Sequence, residues 1–451
     1  MEKLEKGKVY ISKVIDFSHD GGAVVKLDDY VVFLDKGVIN DLVEFEVTKV
    51  KKSFAQGKLL QIIEKSPDRV EYSNINESLG GIPLINYDYE KQLNWKKEKV
   101  RIDLEKETKL KDININDTLE MEDPFYYRNH VQIPVTNYNN RNYIGFYEKN
   151  SQRVFEMDES ILMTENANKA FRIVKSWIKD NDLKGFNRRE SKGIIRHIGI
   201  RTNYKDEVML IIVTNSKKVH ALDDLVNRCK DEGVVSIYHN INKSKSSRVY
   251  GNEYIKVYGE DYLVDRISDF EFLISPNSFF QVNRIQTEKM YSKVIEYLDL
   301  NDEDVVYDLF SGIGTISMLI AKEAKMVFGI ESVEEAVTDA NKNARNNHIE
   351  NIEFLNDRVE EILPKLAKEG KRANKIVLDP PRTGCEDGVI EAILTINPET
   401  IVYVSCNPST MSRDIKPLLE EGYIIKEVTP VDMFPHTAHV ETVALLQREI
   451  I

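Results

Sequence analysis

Cysteine is nearly absent: three residues in 451, at positions 229, 385 and 406. Their number and spacing exclude a disulfide framework, and no CxxC pair offers a metal site. No apolar run exceeds the length of a strand, so no transmembrane helix is expected. The N-terminus, Met1-Glu2-Lys3-Leu4-Glu5-Lys6, lacks the apolar core of a signal peptide. Together these absences point to the cytoplasm, with no membrane partner and no metal. A basic excess is missing too. The formal net charge is -13, which argues against indiscriminate polyanion binding and leaves any nucleic-acid contact to local surfaces. Four clusters offer such surfaces: Lys49, Lys51, Lys52 and Lys58; Lys96, Lys97, Lys99 and Arg101; Arg188, Arg189, Lys192 and Arg196; Lys243, Lys245 and Arg248. Taken singly, each reads as a solvated face.

What is present suffices for several cores. With 41% hydrophobic and 30% charged residues, a chain this long is expected to form two or three domains. Between residues 7 and 64, short apolar runs are split by Gly, Asp and Asn turns, which predicts a small OB-like β-barrel. Tyr87 to Lys109 has helix-forming composition with a mixed charged face. Residues 115–270 alternate strands and helices, an α/β or α+β unit. From Ser275 the pattern becomes regular: a helix at Arg284 to Leu298, then apolar strands at 305–310, 326–331, 352–355, 375–378 and 401–404 separated by helices. That is the signature of a parallel, doubly wound α/β sheet of Rossmann type. Thr442 to Leu446 should add a late strand, antiparallel at an edge. The expected division is 1–66, 67–274 and 275–451.

The first strand of that last unit runs into Asp308-Leu309-Phe310-Ser311-Gly312-Ile313-Gly314, and a helix opens at Thr315. Glycines there let the backbone approach a ligand, and a helix N-terminus offers free N–H groups. Glu331 ends the next strand, where a carboxylate accepts hydrogen bonds from both ribose hydroxyls. A nucleoside cofactor fits. NAD fits poorly, because Gly312-x-Gly314 lacks the third glycine of the dinucleotide fingerprint and Asp308 would repel a phosphate. S-adenosylmethionine, with an ammonium and a sulfonium, suits the acidic loop better. Asp357, after the third strand, is placed to reach an adenine, although a solvated turn explains it nearly as well. Asp379-Pro380-Pro381 ends the fourth strand at the same rim, its prolines fixing the loop.

Ser405-Cys406-Asn407-Pro408 ends the fifth strand, where open α/β sheets hold their ligands. Buried cysteines are usually inert, which suits Cys229 and Cys385. Cys406 is different: at a strand end, a thiolate stabilised by backbone N–H groups could attack an electrophile. Uracil is one at carbon 6, and addition there makes carbon 5 able to accept a methyl group. The carbon 5 proton must then be removed, and Glu441 is the candidate base, with His439 second.

Asp379-Pro380-Pro381-Arg382-Thr383-Gly384, Val404-Ser405-Cys406-Asn407-Pro408-Ser409-Thr410 and Asp432 to Glu441 resemble the signature motifs of the bacterial RNA (uracil-5-)methyltransferases. Ser275 to Asn283 resembles the segment preceding their cofactor fold, and the barrel resembles a TRAM domain, an RNA-binding module. The resemblance implies a class I methyltransferase domain, Cys406 as nucleophile and Glu441 as base. It also implies that Gln281, Phe310, Glu331 and Asp379 hold S-adenosylmethionine. The barrel favours 23S ribosomal RNA over transfer RNA as substrate. Many members carry an iron–sulfur cluster on a CGGC-like segment; here Leu79-Gly80-Gly81-Ile82 and Ser160 replace those cysteines, so no cluster is expected. Two rival readings remain: methylation of another base or a protein, with Cys406 structural, and a catalytically silent RNA-binding or assembly protein.

Overall fold

The computed structural model describes residues 4–28, 30–72, 81–148 and 151–449. Strands β1 (Val9–Phe17), β2 (Ala23–Leu27), β3 (Tyr30–Leu34), β4 (Leu42–Val50) and β5 (Phe54–Glu64) form a closed barrel in the order β1-β2-β3-β5-β4. Alternation builds it: Val43, Phe45 and Val47 on β4 are fully buried, while the intervening Glu44 and Glu46 face outward.

Helix α1 (Tyr89–Thr108) follows, its first turn capped by Asp88, which accepts a hydrogen bond from the Lys91 N–H at 3.1 Å. Its buried stripe is Gln92, Lys96, Val100 and Leu104. Lys96 therefore leaves the basic surface the sequence suggested: the helical period turns it inward, and it is 0% exposed. Arg196 likewise leaves its cluster, at 3% exposed on a strand covered on both faces.

A six-stranded sheet holds β6 (His130–Tyr138), β7 (Arg141–Ile144), β8 (Ile195–Thr202), β9 (Val208–Thr214), β10 (Val234–Ile241) and β11 (Glu253–Gly259), with helices α2 (Glu165–Asp180) and α3 (Leu222–Cys229). A hairpin, β12 (Leu263–Ile267) and β13 (Phe270–Ile274), leads to α4 (Arg284–Leu298).

The last unit comprises β14 (Val305–Leu309), α5 (Thr315–Ala321), β15 (Met326–Glu331), α6 (Glu334–Asn346), β16 (Ile352–Asn356), α7 (Val359–Lys368), β17 (Lys375–Leu378), α8 (Asp387–Ile396), β18 (Thr400–Ser405), α9 (Pro408–Glu420), β19 (Tyr423–Val431) and β20 (Glu441–Arg448). Its seven strands lie in the order β16-β15-β14-β17-β18-β20-β19. The late strand is antiparallel as expected but not at the edge: β20 lies between β18 and β19 and pairs with both. Its run Val443-Ala444-Leu445-Leu446 is buried throughout, as an interior strand requires. The edge falls to β19, which carries Pro430, a residue edges tolerate. Ile115 and Leu119 bridge to β19 at Val428 and Val431, and Val100, Leu104, Ile113 and Ile115 share a core with that sheet. Residues 89–119 thus pack on the C-terminal sheet rather than on the central one. Among the described residues, no helix is long and apolar enough to cross a membrane.

Candidate active site at the carboxyl end of the seven-stranded sheet

β14 is buried and ends at Leu309; the chain leaves it through Phe310 at φ 66° and enters α5 through Gly314 at φ 81°. A Cβ on Gly314 would stand 2.5 Å from Phe354 Cζ, so only glycine fits the turn. Gly312 meets nothing within 4 Å on its open side. Its N–H donates to Glu331 Oε2 at 3.1 Å, while Glu331 Oε1 accepts from the Val333 N–H at 2.8 Å. Both carboxylate oxygens are thereby fixed at the mouth of a cavity of about 480 Å³.

Gln281, Asp308, Phe310, Gly312, Thr315, Glu331 and Asp379 all line that cavity, seven of the residues singled out from sequence. Gly314 lies behind the wall. Asp357 also stands off it: its Oδ1 accepts from the Arg358 N–H at 2.8 Å, while Arg358, Val359 and Glu360 form the lining there. Phe279 and Tyr291 complete the wall and carried no sequence signal. Tyr291 sits on the buried face of α4 and reads as core; Phe279 is 71% exposed, an aromatic beside Gln281 that its exposure alone marks out.

The electrostatics are those of crowded carboxylates. Burial pushes Asp308 up to about 7, with Asp379 and Glu331 adding to the rise and the Ser317 hydroxyl opposing it. Burial alone pushes Asp379 up to about 7. Such a site favours a cationic ligand, which would relieve the repulsion. Ser311 Oγ is buried with no partner among the described residues, a polar atom left for a ligand. The arrangement fits a nucleoside carrying positive charge.

Cys406 and Glu441 lie just beyond this lining. The β18–β20 ladder ends with Ser405 opposite Thr442, so the next step of the antiparallel register sets Cys406 beside Glu441. Asn407 and Pro408 open α9 immediately after, with the Asn407 N–H donating to Ser405 Oγ at 3.0 Å. Burial, then the Glu441 and Asp379 charges, push the Cys406 thiol up to about 11, against the pull of Arg382 and a backbone N–H. Burial, then Asp379, pushes Glu441 up to about 8. The ligand-free site therefore favours a thiol, not the backbone-stabilised thiolate expected from sequence: one N–H does not offset two carboxylates and burial. Cys229 and Cys385 are core residues, both pushed up to about 12 by burial.

His439 is exposed on the wall of a second cavity of about 650 Å³, with Arg128, Asp20, Pro83, Tyr147 and Thr437. Burial by its neighbours, then Arg382, Lys96, Lys99 and Arg128, lower its pKa and keep the imidazole neutral at pH 7. This cavity brings the barrel, the central unit and the 437–439 turn together. In the CGGC-like segment, Leu79 and Gly80 lie outside the described residues. Ile82 is buried against Ile85, Met121, Tyr127 and Leu162, and Ser160 is 5% exposed.

A family profile described as tRNA (uracil-5-)-methyltransferase matches residues 88–449. An uncharacterised RNA methyltransferase of Clostridium acetobutylicum is 42% identical over 457 residues, spanning 99% of both chains. One from Staphylococcus aureus is 41% identical over 450 residues, again 99% of both. Among solved structures, the Pyrococcus abyssi tRNA (uracil-54, C5)-methyltransferase in complex with S-adenosyl-L-homocysteine superposes with a TM-score of 0.79 at 29% identity, covering 97% of this chain and 99% of that one. The chain belongs to the tRNA (uracil-5-)-methyltransferase family.

Proposed function

We propose that this protein methylates carbon 5 of a uridine in 23S ribosomal RNA, with Cys406 as nucleophile, Glu441 as base, and S-adenosylmethionine held by Gln281, Phe310, Glu331 and Asp379. The observation that carries the reading is the ladder register that sets Cys406 beside Glu441, at the rim of the Asp379 cavity. S-adenosylmethionine supplies the methyl group and a sulfonium charge. The Cys406 thiolate adds to carbon 6 of the ring, and the electrons of the C5=C6 double bond make carbon 5 the methyl acceptor. Ionised Glu441 then takes the carbon 5 proton; the released pair restores C5=C6 and the thiolate departs. A cation beside Asp379 offsets the negative field that disfavours both the Cys406 thiolate and Glu441 ionisation in the empty site.

Two variants test the mechanism. Cys406→Ala should bind cofactor and transfer no methyl group. Glu441→Gln should attack and methylate, then stall as a covalent protein–RNA adduct, seen as a slow band on a denaturing gel. Activity in Cys406→Ala refutes the scheme; normal turnover of Glu441→Gln without adduct moves the base to another group, His439 first. The N-terminal barrel supports ribosomal RNA. A second reading, transfer RNA, is favoured by the archaeal tRNA enzyme, whose match covers 97% of this chain and so extends into the barrel. Mapping 5-methyluridine in both RNA pools, from cells with and without the gene, separates the two.

A further inference from the structure

β19 and β20 are neighbouring antiparallel strands, and the loop Asp432 to Val440 that joins them returns to the sheet at Glu441, opposite Val431. Five successive carbonyls at the start of this loop each accept a hydrogen bond from a different residue outside it. Gln286 Nε2 donates to the Asp432 carbonyl at 3.1 Å, and Asn283 Nδ2 to that of Met433 at 3.1 Å. Lys96 Nζ donates to the Phe434 carbonyl at 3.1 Å, and Tyr127 Oη to that of Pro435 at 3.3 Å. The Leu84 N–H donates to His436 at 2.9 Å. A hairpin loop normally leaves such groups to water; this one is bolted to α4, α1 and the segments around them.

Lys96 is the donor that also carries charge. It pairs with the Asp432 carboxylate, and both side chains are 0% exposed. Asp432 takes a second hydrogen bond from Tyr89 Oη at 2.6 Å, and Tyr89 Oη in turn accepts the Met121 N–H at 3.0 Å. One turn earlier on α1, Gln92 Nε2 lies 3.2 Å from Nδ1 of His436, a buried residue at φ 62° stacked 4.9 Å from Phe125. Burying an ion pair beneath a loop confers little stability compared with apolar packing. It does fix geometry, because the ammonium must meet the Asp432 carboxylate and the Phe434 carbonyl at once.

We propose that Lys96, through Asp432 and the Phe434 carbonyl, is a positioning residue that sets where Glu441 stands relative to Cys406. Lys96 touches no reacting group. Its effect passes along the hairpin loop, whose far end is the proposed base. The inference rests on the mechanism proposed above, and it predicts a particular failure. Attack by Cys406 and methylation do not need Glu441, so displacing the base should stop the reaction after both.

The test compares Lys96→Met, the double variant Lys96→Met/Asp432→Asn, Glu441→Gln and Cys406→Ala in the full-length protein. The double variant leaves no buried carboxylate unpaired, so it keeps the question open to measurement where Lys96→Met alone folds poorly. Expected for both Lys96 variants is S-adenosylhomocysteine binding within about twofold of the parent and turnover lowered on the order of 10²-fold, the scale of an ångström-sized misplacement. The covalent adduct seen with Glu441→Gln should accumulate in them as well. A merely structural role lowers activity without adduct. Normal turnover, loss of turnover with cofactor binding intact and no adduct, or failure of both variants to fold each overturns the proposal. Adduct in Glu441→Gln but not in the Lys96 variants sinks this inference alone. Absence of adduct in Glu441→Gln, or activity in Cys406→Ala, sinks the mechanism and the inference with it.

Discussion

Gly312 and Gly314 stand two residues apart in one loop, both at positive φ, yet they should fail differently when replaced by alanine. Gly314→Ala forces a side chain into the left-handed region, about 1–2 kcal/mol, and drives its Cβ to 2.5 Å from Phe354 Cζ and 3.4 Å from Ala340 Cβ. Overpacking of that kind adds about 1–3 kcal/mol. Gly312→Ala incurs the backbone strain at φ 55°, but its Cβ meets nothing within 4 Å. The two variants of the ligand-free enzyme should therefore differ by the overpacking alone. For a cooperative unit of this size that is a Tm gap of roughly 2–12 °C, with Gly314→Ala the lower. Binding should separate them the other way round relative to stability. Gly312 lines the cavity, so its added methyl occupies ligand space and should weaken S-adenosylhomocysteine binding on the order of tenfold or more for its modest loss of Tm. Scanning calorimetry and titration calorimetry on the same preparations read both quantities. Equal Tm losses, or parental affinity in Gly312→Ala, would show that this loop geometry is wrong.

Asp308, Asp379 and Glu441 are raised to about 7, 7 and 8 in the folded enzyme. Each then contributes stability that is full below its unfolded value near pH 4 and is lost as pH climbs through 7 and 8. The ligand-free Tm should fall across that window, and the Tm gain from the cationic cofactor should be larger at pH 8.5 than at pH 5.5; a gain independent of pH contradicts the assignment. Lys49, Lys51, Lys52 and Lys58 are exposed on the barrel. Replacing them with alanine should weaken RNA binding and flatten its salt dependence by about 0.7–0.9 for each phosphate no longer neutralised, and an unchanged slope removes the barrel from the RNA path. Protein purified without oxygen should be colourless, and stoichiometric iron and sulfide would contradict the reading of Ile82 and Ser160.

The strands at 305–309, 326–331 and 375–378 were legible because buried parallel strands read as unbroken apolar runs. The rim residues followed from them: Glu331, Asp379 and Cys406 each end or follow such a run, where an α/β sheet keeps its ligands. Helix α4 was legible to its ends, with Asn283 as its cap. The place of β20 was not, because sheet order is decided by pairing between distant segments, and its neighbour β19 carries a proline that disguises it. Lys96 was misplaced for the opposite reason: a helical pattern assigns charge to solvent, and only the buried Asp432 and the Phe434 carbonyl explain why it turns inward. Asp357 had two readings, an adenine contact and a solvated turn; it lies outside the cavity lining, with its carboxylate accepting the Arg358 N–H.

The insertion of β20 between β18 and β19 has a consequence for the life of the nascent chain. Glu441, the proposed base, opens a strand that follows its neighbours in the chain yet belongs in the interior of the sheet. Until residues 441–448 emerge, β18 and β19 have no common neighbour, and Cys406 stands at an unfinished edge without Glu441 beside it. Domains fold as units from the N-terminal side during synthesis, so the barrel and central sheet can be complete while the chemistry is still missing. A chain that stopped before residue 441 would keep the loop proposed to meet the cofactor and lose both the keystone of its sheet and its proposed base. The proposed cofactor site and the proposed base are thus completed at separate moments of synthesis.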